Sequence, residues 1–315
     1  MGRHARGVQL TVGPCKPRGW RMLVLAVLVV ASLALAALVL IDGTAVRANR
    51  EQPPRGGQVA ERVRGAASAP GIGGPDRPTI LRRATLPIAT QLAAARRYAR
   101  SRDGLVSFAV VDSQGKLHCY RCRVRYVSAS LVKAMLLVAY LDHLVGEGDR
   151  LTASGRALLD PMIRVSDNAA ATTIYLRAGG NLALYRLARR TGMQRFRIFG
   201  YWWTAELTAA DQARFFADLD QLTPKRYWSY AHELLSSVVS WQSWGIPQAT
   251  RPAWRTLFKG GWRETERGEL VHQVARLERG SMTIAIAVLT DGNPRHLYGQ
   301  KTIRGIATRL VSTAG

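Results

Sequence analysis

Three short clusters hold side chains that could do chemistry together. Ser130–Leu131–Val132–Lys133 opens an apolar run that continues to Leu144. On a helix, residues i and i+3 share a face, so the lysine amine can lie beside the serine hydroxyl. A serine hydroxyl is a weak nucleophile until a base takes its proton. A lysine in apolar surroundings has a lowered pKa and can be that base. The helix N-terminus adds free N–H groups for a developing oxyanion. The competing reading is a helix-capping Ser130 with Lys133 reaching out to water. With 16 serines and six lysines in the chain, an S-x-x-K arises by chance about 0.3 times, so the spacing alone is weak. Its context is stronger. Lys133 is the only charge between Arg125 and Asp142, and a buried lysine is costly to keep without a role.

The second cluster is Ser166–Asp167–Asn168, whose plain alternative is a Ser or Asp capping the helix that follows. The third is Lys259–Gly260–Gly261, at the end of an expected strand. Its alternative is a glycine turn beside a solvated lysine. No His/Cys/Asp/Glu grouping with metal-ligand spacing accompanies them, and neither a metal nor an organic cofactor is expected.

The elements that must position these clusters read as helix, two strands, a helical middle, three strands and a closing helix. Helical spacing runs through 84–101. Leu105–Val111 is a strand, and Asp112–Gly115 turns into a second strand through Leu117. The run from Ser130 to Leu144 is nearly all apolar, which predicts a buried helix. Further helical segments fall at 152–160, 168–178, 181–191 and 208–221. Strands follow at Arg255–Phe258, Leu270–Leu277 and Met282–Leu289, with Arg279–Gly280 as a hairpin turn, and residues 298–313 close as a helix. Strands at both ends with helices between them predict an α+β domain. One five-stranded antiparallel sheet is flanked by helices, with an inserted all-helical lobe and a cleft where the two meet.

Taken in order, the three clusters resemble the S-x-x-K, S-D-N and K-T-G motifs of class A β-lactamases and penicillin-binding serine enzymes. The flanks are similar as well: YVSASLVK ending at Lys133, PMIRVSDN over 161–168, TAADQARFF over 208–216 and AVLTDGNP over 287–294. The resemblance covers roughly residues 84–315. It implies that Ser130 is the acylated nucleophile and Lys133 its proton partner. It further implies that Ser166 relays a proton to the leaving nitrogen and Asn168 holds the substrate amide. Lys259 would supply positive charge beside Ser166 and the substrate carboxylate. The N–H groups of Ser130 and Trp262, next to Gly261, would form the oxyanion hole.

Two departures bear on activity. Gly260 stands where the family has Thr or Ser, removing a hydroxyl that would bind a substrate carboxylate. The family's loop glutamate, which activates the deacylating water, also lacks an obvious counterpart. The stretch from Gly200 to Leu207 looks truncated, and its only carboxylate, Glu206, reads more readily as the acidic first turn of the next helix. The expected activity is therefore acyl-serine hydrolysis of a β-lactam or D-alanyl amide with slow deacylation. A D,D-peptidase acting on peptidoglycan and a non-catalytic β-lactam or wall-binding sensor are the rivals.

The chain's net charge of +24 is not confined to its start. Residues 1–83 hold 13 Lys/Arg against 4 Asp/Glu, and the remaining 232 hold 32 against 17. A nucleic-acid partner would account for such a balance, but no zinc-finger spacing, RNP-like motif or basic zipper is present. Residues 22–41, MLVLAVLVVASLALAALVLI, carry no charge over 20 positions, enough to span a hydrocarbon core. The basic residues ahead of them place residues 1–21 in the cytoplasm. A cleaved signal peptide is the alternative. A Pro/Gly/Arg-rich spacer over 42–83 then carries the 84–315 domain outside the membrane. There, anionic wall polymers or lipid head groups are the natural counter-charges. Cys119 and Cys122 are either a local disulfide or two free thiols, since a straight strand would hold i and i+3 too far apart to bridge.

Overall fold

Five apolar runs meet in one antiparallel sheet, and the order in which they meet decides where the three clusters lie. The computed structural model describes residues 86–312. The expected basic tail, apolar span and linker of residues 1–83 lie outside the described residues. The chain enters through α1 (Ala89–Arg100), β1 (Leu105–Val111), β2 (Leu117–Tyr120) and a short β3 (Arg125–Val127). The helical lobe comprises α2 (Val132–Gly146), α3 (Ala153–Arg164), α4 (Asn168–Arg177) and α5 (Gly180–Arg190). A short β4 (Glu206–Thr208) leads to α6 (Ala209–Ala217), α7 (Leu219–Leu222), α8 (Trp228–Ser236) and α9 (Ile246–Thr250). The chain ends with β5 (Arg255–Thr265), β6 (Gly268–Arg279), β7 (Met282–Asn293) and α10 (His296–Val311).

The sheet order is β2-β1-β7-β6-β5, and every pairing is antiparallel, with Ala109 opposite Ala287 and Val274 opposite both Ala287 and Lys259. The middles of β6 and β7 are buried at eight consecutive positions each. That follows from cover on both faces. Helices α1 and α10 pack together on one side and α6 on the other, so the strands read as continuous apolar runs rather than alternating ones. The α+β architecture expected from the sequence is the one observed.

Helix α2 is the axis of the helical lobe. With the turn before it, Ala129–Gly146 is long and apolar enough to cross a membrane, yet 72% of that window is buried inside the domain. It is the core helix around which α3, α4, α5 and α8 pack.

Some details differ from the sequence reading, and one alternative it left open is settled. Strand β5 does not end at Phe258 but runs on to Thr265. Its glycines stay in register, Gly260 opposite Gln273 and Gly261 opposite His272, so they are mid-strand and not a turn. The small ladder of β3 with β4 has too few residues to show an alternation. Cys119 and Cys122 are joined in a disulfide. Strand β2 ends at Tyr120, and Arg121 takes a left-handed backbone (φ 47°), which folds the chain back and brings the two Cα atoms to 5.4 Å.

Candidate active site

The serine of the first cluster sits in a 3-10 turn, Ala129–Leu131, just ahead of α2. It does not cap that helix, for no side chain does so. The turn is held by Leu131 N–H donating to Ser128 O at 3.1 Å and Ser128 N–H donating to Ala205 O at 2.7 Å. Ala129 is forced to φ 44°, the kind of local strain that persists where the surroundings over-determine it.

Strand β5 presses against this turn at Gly261. A β-carbon there would lie 2.9 Å from Ser130 N, 3.0 Å from Leu131 N and 3.0 Å from Ser128 O. All three are backbone atoms, so only glycine lets the strand come this close. The approach brings the Trp262 peptide alongside that of Ser130.

Lys133 is fully buried and does not reach out to water. Its Nζ donates to Asn168 Oδ1 at 2.7 Å, to Ser166 Oγ at 3.3 Å and to the Ser166 carbonyl. Burial lowers its pKa to about 8, against the opposing charge of Asp167. Lys259 is equally buried, and its Nζ donates to Ser166 Oγ at 3.0 Å and to Gly260 O at 3.0 Å. Its pKa lies well below the usual lysine value, first through desolvation and then through the Lys133 charge.

The second cluster resolves its own ambiguity. Asp167 is the cap of α4, accepting the Ala170 N–H at 2.7 Å. That leaves Ser166 and Asn168 free for the lysines. Ser166 itself has φ 64°, in a turn closed by the Pro161 carbonyl, which accepts the N–H groups of Val165 and Asp167. Two ammonium donors on Ser166 Oγ occupy its acceptor sites and leave its own O–H free to point elsewhere.

Beside Ser130 and Asn168 opens a cavity of about 380 Å³. Trp202, Trp203 and Trp262 wall it, Thr172 and Arg263 supply its other polar groups, and no carboxylate lines it. Sequence reasoning named Trp262 only for its N–H and missed Trp202 and Trp203. Trp202 donates its indole N–H to Thr172 Oγ1 at 3.2 Å and places its ring 5.4 Å from Lys133 Nζ. The run Tyr201–Trp202–Trp203 was the available signal. Trp244, also missed, lies 3.3 Å from where a Gly260 β-carbon would be and packs edge-on against Trp262 and His296.

Glu206 is not in the first turn of a helix. It lies in β4, where it pairs with Arg125 at 3.4 Å and Arg197 at 3.1 Å, and is not among the residues lining the Ser130 cavity.

The profile of the β-lactamase enzyme family matches residues 144–314, more than half of the chain. The chain belongs to the β-lactamase enzyme family. It is a serine hydrolase of the β-lactamase type, as its motifs implied. Ser130 and Lys133 precede the matched stretch; Lys133 Nζ donates to its Ser166 and Asn168, and Ser130 lines the same cavity as Asn168. No curated protein matches the chain in sequence. Solved structures share its fold at low identity. A β-lactamase from Sphaerobacter thermophilus DSM 20745 is 19% identical with a TM-score of 0.61, over 70% of this chain and 94% of that one. A β-lactamase from Xanthomonas campestris pv. campestris str. ATCC 33913 is 16% identical with a TM-score of 0.60, over 70% and 97%. The structure named PBP-A is 14% identical with a TM-score of 0.61, over 71% and 97%.

Proposed function

We propose that this β-lactamase family member opens β-lactam or D-alanyl amide bonds outside the membrane by attack of Ser130, and that it releases the acyl group slowly. The observation that carries the reading is Ser166 Oγ, held at once by Lys133 at 3.3 Å and Lys259 at 3.0 Å. Neutral Lys133 takes the Ser130 proton as Oγ bonds to the carbonyl carbon. The oxyanion meets the N–H groups of Ser130 and Trp262. Lys133 then passes a proton to Ser166, and Ser166 gives its own to the leaving nitrogen as the C–N bond breaks. Asn168 orients the substrate amide, and Lys259 keeps Ser166 polarised. A substrate carboxylate, denied a hydroxyl at Gly260, meets Arg263, the cation that lines the cavity.

Slow release rests on the carboxylate-free cavity wall. Hydrolysis of the acyl ester needs a base for the incoming water, and such help is typically worth about 10²–10⁴-fold. Persistent acylation also suits the peptidase and sensor alternatives. A fluorescent penicillin, followed by a chase with unlabelled compound, tests both the attack by Ser130 and the slow release. Label that forms on Ser130 and persists for many minutes is the expected result. Label that vanishes within seconds makes the protein an efficient β-lactamase. Label that survives Ser130→Ala, or never forms in the wild type, ends the assignment of Ser130.

A further inference from the structure

A second cavity lies away from Ser130. It is a trench of about 910 Å³ whose walls carry Arg121, Arg123, Arg125, Arg195 and Arg197 against a single acid, Glu206. All five arginines are exposed. Glu206 is already paired with Arg125 and Arg197, while Arg121, Arg123 and Arg195 form no salt bridge among the described residues. Guanidinium groups crowded along one concave wall repel each other, and a bound anion relieves that repulsion.

Both walls are held in place, which loops of merely solvated arginines do not require. On one side the Cys119–Cys122 disulfide closes the loop. Arg121 O accepts from Ser107 Oγ at 2.8 Å and from Val124 N–H at 3.1 Å, and Cys122 O accepts from Ala210 N–H at 3.0 Å. On the other side Arg197 and Glu206 exchange both backbone hydrogen bonds, at 2.7 and 3.2 Å. The backbone that carries the arginine row is thus preorganised, and binding must order the side chains but not the loops.

We propose that this trench is a binding site, separate from the catalytic cavity, for an extended polymer of phosphodiester-linked polyols. Five guanidiniums spread along one groove match several successive phosphates rather than one small anion. No aromatic side chain lines the trench, so it offers no platform on which nucleic-acid bases would stack. The choice of a wall-type polymer rests on the extracytoplasmic placement proposed above; the anion site itself does not.

The test uses the full-length chain in neutral detergent, with fluorescently labelled poly(glycerol phosphate) and an oligothymidylate of equal phosphate number as probes. The polyol phosphate should bind with an affinity that falls steeply with salt. Arg123→Glu with Arg195→Glu should weaken it at least tenfold and reduce the salt slope by about two. Penicillin labelling of Ser130 should be unchanged in that variant, so a failure of the catalytic reading leaves the binding result intact. Absence of binding at low salt, undiminished binding by the variant, or tighter binding of the oligothymidylate would each overturn the proposal.

Discussion

At the scale of single residues, the site turns on two buried ammonium groups that share one hydroxyl. Lys133 can accept a proton only when neutral, and burial brings its pKa to about 8. Below that value the neutral fraction falls about tenfold per pH unit. Acylation should therefore quicken roughly tenfold between pH 6 and 7 and level off above pH 9. Stopped-flow labelling at saturating β-lactam measures this directly, and a flat profile would exclude Lys133 as the base. Arg263 has a different signature, since it would bind a carboxylate without entering the chemistry. Arg263→Ala should raise KM by about tenfold, roughly 1.4 kcal/mol, with kcat little changed.

Between elements, the decisive contact is the one strand β5 makes with the turn that carries Ser130. In Gly261→Ala the added carbon meets backbone atoms at 2.9–3.0 Å, which cannot rotate away. The strand must withdraw, at a cost of about 1–3 kcal/mol and with loss of the proposed oxyanion site. Gly260→Ala meets side-chain ring atoms, Trp244 at 3.3 Å and Trp262 at 3.6 Å, and should keep most of its activity. Thermal melts and acylation rates on the two variants make the comparison.

A second tie runs from β6 to β3. Buried His272 interacts through Nε2 with Val127 O at 3.1 Å and accepts the Thr290 N–H at Nδ1. The imidazole is thereby pinned as its neutral tautomer, and burial lowers its pKa to about 4. Between pH 6.5 and 4 the unfolded chain holds the proton that the folded chain refuses. Stability is then fully present above pH 6.5 and declines as the pH falls toward 4, by about 3 kcal/mol. Urea midpoints across that range should show the decline, and His272→Gln should flatten it.

For the molecule as a whole, the proposed arrangement is a basic catalytic domain tethered by residues 22–41. If that segment stays in the mature protein, membranes should release the domain only to detergent or protease. A native N-terminus near residue 49, or release by salt alone, would identify a signal peptide instead.

Much of the site was legible in the chain because its chemistry is local. Ser130 and Lys133 are one helical turn apart, Ser166 and Asn168 share one turn, and the odd charge in an apolar run advertises Lys133. The α+β order likewise followed from alternating periodicities. What local spacing could not supply is everything set by residues far apart in sequence. Lys259 meets Ser166 across 93 positions. A glycine pair looks like a turn until β6 pairs with it on one side and Ser130 comes up against it on the other. Trp202 and Trp244 belong to the site only because folding brings a truncated loop over Lys133 and an indole against Gly260. Glu206 could be read as a base or as the acidic first turn of a helix from its neighbours in the chain. Two arginines, nine residues and 81 residues away, draw it out of the acyl pocket and into the basic trench. Side-chain type and short spacing determine which groups can react, whereas long-range packing determines which of them face one another and what else stands in the pocket.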